Sequence, residues 1–140
     1  MLVGLIGELV IQGVYDRGVP NQERILIRPT QAVNLGQYGI MLGVNNPQAL
    51  NSALPINDYL FWFGDGIVEP QSWIFLYTGP GTARKTEMQN KEPAYVLHWG
   101  RTHTVFAGSS VVPILFRVDA VNLGQMPTNL PQTALEFWNK

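Results

Sequence analysis

The sequence predicts an all-β chain, folded as one two-layer sandwich of mostly antiparallel strands, and three observations carry that expectation. Two short aromatic runs, Tyr59–Phe63 and Trp73–Tyr77, flank the turn-rich segment GDGIVEPQS, and Pro70 and Pro80 bound the second run. Arg24–Arg28 (RILIR) alternates with period two, Ile25 and Ile27 pointing one way and the two arginines the other. Ten prolines and fourteen glycines spread along the 140 residues favour many short strands joined by turns. A chain of this length makes one domain and buries roughly 68–70% of its unfolded surface, so it needs no disulfide or metal staple.

Taken in order, ELVIQGVY (8–15) is the first strand, with Leu9, Ile11 and Tyr15 on one side. Asp16–Asn21 has turn chemistry, RILIR follows, and Pro29 ends it. Asn34-Leu35-Gly36-Gln37 is a corner, and Tyr38–Val44 a short strand. NNPQALNSALPIN (45–57) reads as a polar, exposed connection. The central pair Tyr59–Phe63 and Trp73–Tyr77 comes next, and Gly79-Pro80-Gly81 stops it. TARKTEMQNKEP (82–93) is the most charged segment and lacks a strand pattern, so it is expected as a long exposed loop. AYVLHW (94–99) is a strand, Gly100-Arg101 a tight turn, and THTVFA (102–107) its expected hairpin partner. Ser110–Val121 is the last long strand. Pro113 within it cannot donate to a ladder, which places the strand at an edge or at a bulge. The tail at 127–140 contains NLPQTALEFWNK, a candidate short helix with Pro131 in its first turn and Leu135 and Trp138 three apart. AVNLGQ occurs twice, at 32–37 and 120–125, which reads as two strand exits built from the same turn residues.

Composition narrows the function classes. The chain has no cysteine, which excludes disulfides, thiolate metal sites and cysteine nucleophiles and suits a reducing, cytoplasmic setting. Net charge is −1 with 14% charged residues, which argues against a nucleic-acid footprint or a polybasic membrane surface. The opening MLVGLIGELVIQG has no basic leader and carries Glu8, and it falls short of the ~20 apolar residues a membrane span needs.

The order of motifs resembles the lamin-tail domain in its bacterial form. Glu23 stands before RILIR, Asn34-Leu35-Gly36 makes the corner ahead of Tyr38, and Phe61–Gly66, WIFLYTGPG and LHWG (97–100) continue the series. The match runs from about Leu9 to Val121. Gln37-Tyr38 stands where the family often has Gly-Trp, and Gly108-Ser109-Ser110 where it often has Gly-Asp. The resemblance implies an immunoglobulin-like β-sandwich with a binding or scaffolding role, and it brings no catalytic residues.

Other motifs point to chemistry only weakly. Gly79–Thr86 (GPGTARKT) approaches a phosphate-cradling loop, but Arg84 occupies the position where the backbone needs glycine. His98 and His103 flank the Gly100 turn, and across a hairpin they can approach each other. A metal would need a third ligand from Asp65, Glu69 or Asp119. A triad of Ser109 or Ser110 with a histidine and Asp119 lacks a nucleophile elbow. Arg84, Lys85, His98, Arg101 and His103 are the candidate ligand or anion-binding residues, and a small-ligand or metal-assisted hydrolytic site near His98, His103 and Arg101 is the alternative function. No cofactor and no catalytic residue is expected.

The leading expectation rests on surplus. Both faces of both central runs are apolar, more than one sandwich interior can hide, and an exposed apolar remainder marks an interface. The expected function is non-enzymatic protein–protein interaction or scaffolding. Trp62, Trp99, Phe137 and Trp138 are the interface candidates, and a homodimer or another protein is the partner.

Overall fold

The structure, a computed structural model, describes residues 5–46, 48 and 52–124, with the side chain of Asn57 left aside. The expected tail helix, with Phe137 and Trp138, lies outside the described residues.

The fold is all-β. Among the described residues ten strands run in chain order: β1 (Leu9–Tyr15), β2 (Arg24–Pro29), β3 (Val33–Asn34), β4 (Tyr38–Asn45), β5 (Ala53–Trp62), β6 (Ile67–Val68), β7 (Trp73–Tyr77), β8 (Arg84–Glu87), β9 (Pro93–His98) and β10 (Val111–Arg117). They form a five-stranded sheet in the order β1-β2-β7-β9-β8, a three-stranded sheet in the order β10-β4-β5, and a small ladder β3-β6. Every pairing is antiparallel except β7 with β9. Among the described residues no helix is long and apolar enough to cross a membrane.

One core lies between the two larger sheets. Ile25, Ile27, Ile74 and Leu76 come from the five-stranded sheet, Ile40 and Leu42 from the three-stranded one, and Phe106 enters from a loop. Burying each such side chain contributes about 1.5–3 kcal/mol. The alternation in RILIR and WIFLY is what aligns them: Ile25 pairs with Leu76 and Ile27 with Ile74.

The 34–37 corner is a 3₁₀ turn capped by Asn34, whose Oδ1 accepts the Gly36 amide at 2.9 Å and the Gly66 amide at 3.2 Å. Pro113 is tolerated for a geometric reason. The Asn45 amide donates to the Ser110 carbonyl and the Val118 amide to the Gln37 carbonyl, so the even-numbered residues of β10 bond to β4. Pro113 therefore points its missing donor away from the sheet, at an edge, the first of the two placements the sequence left open.

The structure corrects four readings. Tyr15 does not share a side with Leu9 and Ile11: a bulge between Ile11 and Gly13 shifts the register, so Val14 packs on the core and Tyr15 is 44% exposed. The 45–57 connection is partly strand, since β5 begins at Ala53. The charged segment 82–93 is exposed as expected, yet it holds β8, paired antiparallel with β9. Residues 102–107 form no strand and no hairpin with 94–99; β9 pairs with β7 and β8 instead. The physical reason is Glu23, whose buried carboxylate takes the amides of Val105 and Phe106 that a strand partner would have used.

Candidate functional site

The two outer faces of the sandwich differ. On the five-stranded sheet, Trp73, Phe75 and Tyr77 face outward, opposite the buried Ile74 and Leu76. Their surplus apolar surface is covered from within the chain. The Arg28 guanidinium lies 3.8 Å above the Trp73 ring while its Nε donates to the Ser72 carbonyl at 2.8 Å. Arg24 sits between Tyr15 and Tyr77, 5.6 and 5.7 Å from the two ring centres, and is held by Asp16 at 2.6 Å. Trp73 stacks on Phe75, and Tyr77 on His98. The arginines of RILIR, which look like ordinary solvated positions in the sequence, are the lid of this face.

Among the described residues, the three-stranded sheet has no such lid. Register places Val112, Ile114 and Phe116 of β10, Gly39, Met41 and Gly43 of β4, and Leu60 and Trp62 of β5 on its outer face, opposite the core residues Ile40, Leu42, Phe61 and Leu115. None of these outward positions carries a charge. The two glycines make the face flat. A Cβ on Gly39 would stand 2.8 Å from the Phe61 carbonyl oxygen and strike the Phe116 ring; one on Gly43 would strike the Ile114 side chain. Without those methyls, Phe116 and Ile114 lie down across the central strand. Trp62 packs against Phe116 at 6.0 Å, yet it stays 46% exposed, and Leu60 57%. A shallow recess of about 360 Å³ lined by Trp62, Gly36, Val118 and Val121 continues this face toward the end of the described chain.

The candidate ligand residues are dispersed. Arg84 and Lys85 alternate on β8, so they face opposite sides; Lys85 reaches Glu69 at 3.6 Å and lies over the Tyr95 ring. His98 stacks on Tyr77 with Gly81 against its ring, and its Nδ1 is buried without a partner. His103 is exposed on the loop that replaces the expected hairpin. Arg101 places its guanidinium over the Tyr59 ring at 4.4 Å. Two of the carboxylates that a metal would need are engaged elsewhere, Glu69 on Tyr95 and Lys85 and Asp119 on Arg117, and Asp65 lies against Gly36 at the corner. Among the described residues no group of three His, Asp or Glu side chains is placed to hold a metal. The GPGTARKT segment leads into β8, not into a helix that could receive a phosphate. A second recess, beside Glu8, Asn34, Tyr38 and Arg117, is polar, and its one cation is neutralised by Glu8 at 2.9 Å and Asp119 at 3.1 Å. Of the interface candidates, Trp62 lies on the open face, whereas Trp99 packs on the core beside Phe61.

Glu23 is the residue whose importance the sequence concealed. Its carboxylate is fully buried and accepts four hydrogen bonds: from the Gly18 amide (2.9 Å), Thr78 Oγ1 (2.7 Å), the Val105 amide (2.8 Å) and the Phe106 amide (2.9 Å). It ties three loops at one end of the sandwich, a structural task and not a catalytic one. The only available signal was its place just before a strand.

No family model, no curated protein and no solved structure matches this chain.

Proposed function

We propose that this chain is a non-enzymatic interaction domain of lamin-tail type, working in a reducing, cytoplasmic setting, and that it self-associates through the outer face of its three-stranded sheet. The observation that carries the reading is the contrast between the two faces: guanidinium groups cover one, while the other is an uncharged, glycine-floored surface with Trp62 and Leu60 half in water. The absence of cysteine supports the reducing setting.

Magnitudes set the strength. Three strands ~4.8 Å apart and about seven residues long present roughly 300 Å². At ~25 cal/mol per Å² on each copy this is of the order of the ~4–15 kcal/mol that association costs, so the complex is weak and reversible. Sedimentation velocity from ten to several hundred micromolar, followed in parallel by quenching of tryptophan emission, tests it. A rising sedimentation coefficient with falling quencher access is expected. A single monomeric boundary with unchanged quenching across the range ends the proposal.

A further inference from the structure

Among the described residues four strand edges are open in the two larger sheets, and three are guarded against pairing with another chain. β1 is broken by its bulge between Ile11 and Gly13. β8 reads Arg-Lys-Thr-Glu and is exposed throughout. β10 lacks the Pro113 donor, and Arg17 occupies the Val111 carbonyl at 2.8 Å. Among the described residues, the second half of β5 has no guard. Asp58, at φ 70°, marks the bulge in its middle, and Tyr59–Gly64 (YLFWFG) beyond it is free of charge and of proline.

The hydrogen bonds show which backbone groups are free there. The Phe63 amide donates to the Tyr38 carbonyl, continuing the register in which Gly39 faces Trp62 and Ile40 faces Phe61. In an antiparallel ladder the bonding groups alternate, so Phe61 bonds inward to Ile40, and the N–H and C=O of Leu60 and Trp62 point outward. The two free backbone positions thus belong to the two residues with exposed apolar side chains on the open face.

We propose that the partner is a second copy of this chain, added edge to edge through β5 about a two-fold axis at Phe61. This rests on the self-association proposed above and narrows it to the edge of the open face, where Leu60 and Trp62 lie; the rest of that face stays uncovered in the pair. In this register Leu60 of each copy pairs with Trp62 of the other, giving four backbone hydrogen bonds. Each indole covers the opposing leucine, and the two apolar faces merge into one six-stranded surface. The absence of charge in Tyr59–Gly64 means that self-pairing sets no like charges against each other. The contact falls below the ~800 Å² per partner of a standard stable interface, which makes this a concentration-dependent dimer.

The chain has no cysteine, so single cysteines report the register without background. Bonded antiparallel positions stand ~5.5 Å apart at Cα, within disulfide range. Mixing Leu60→Cys with Trp62→Cys under a glutathione redox buffer should give a disulfide-linked dimer at least tenfold faster than either variant alone. Leu60→Pro removes an outward donor while leaving every β4 bond, and should weaken wild-type dimerisation at least tenfold with an unchanged circular dichroism spectrum. Equal cross-linking in the single-variant samples, or a wild-type dimer that persists in Leu60→Pro, overturns the edge pairing but leaves self-association standing. A wild-type chain that stays monomeric removes both.

Discussion

Glu23 shows how much one residue can decide. Its carboxylate offers acceptor capacity to four donors, three of them backbone amides, one from the neighbouring turn at Gly18 and two from the distant loop at Val105 and Phe106. Glu23→Gln keeps the shape but turns an NH₂ toward some of those donors, and each buried group left without a partner costs about 1–3 kcal/mol. Urea unfolding of Glu23→Gln should show a loss of about 3 kcal/mol; a loss under ~0.5 kcal/mol, the range of ordinary surface changes, would mean the loops hold without it. Glu69 gives a smaller, pH-dependent case. The hydrogen bond from the Tyr95 hydroxyl, at 2.5 Å, holds its carboxyl below the usual range, with Lys85 adding to the effect. A lowered folded pKa means stability that is present above the ordinary glutamate value and lost as the pH falls through the lowered one, so the contribution disappears only in acid. Carbon-detected NMR titration should find the Glu69 midpoint below that of a free glutamate, and Tyr95→Phe should move it back up. An unchanged midpoint in Tyr95→Phe would assign the shift to the backbone amide of Glu69 and to Lys85 instead.

At the level of elements, the same alternation gives opposite outcomes in β7 and β5. Both strands are apolar on both sides, yet β2 supplies Arg24 and Arg28 to cover the outward rings of β7, while the neighbours of Leu60 and Trp62 on β4 are Met41 and Gly39. Arg28→Ala should therefore lower stability by about 1–2 kcal/mol, through the lost stacking and the lost bond to Ser72, and should shift tryptophan emission to the red as Trp73 meets water. An unchanged spectrum would mean that the guanidinium does not shield the ring. β10 offers the converse test. Because Pro113 points its nitrogen outward and its ring toward Leu42, the size-matched change Pro113→Val should cost less than ~1.5 kcal/mol while opening a free edge donor. Light scattering of the variant should show more association than wild type, and a larger drop in stability instead would place that nitrogen inside the ladder. β8 was hidden in the sequence because a four-residue edge strand exposed on both sides has no apolar period to reveal it.

For the molecule as a whole, the surplus of apolar side chains divides three ways: into the shared core, under the arginine lid, and onto the open face that ends at the unguarded edge of β5. Trp62→Lys places a charge at the centre of that last share. Since Trp62 is already half in water, the thermal midpoint should change little while the concentration dependence of sedimentation disappears. A large fall in the midpoint would make Trp62 a packing residue rather than a contact for a partner. The all-β class, the corner at Asn34 and the bounds of the Trp73–Tyr77 strand were determined by sequence alone, because period two, proline and glycine act on the backbone locally. Only the tertiary structure decided that 102–107 is a loop held by Glu23, that Tyr15 turns outward after the bulge, and that one outer face is covered while the other is open. Alternation along a strand states which side chains share a face; what lies over that face is set by residues tens of positions away, and no local pattern in the chain encodes their approach.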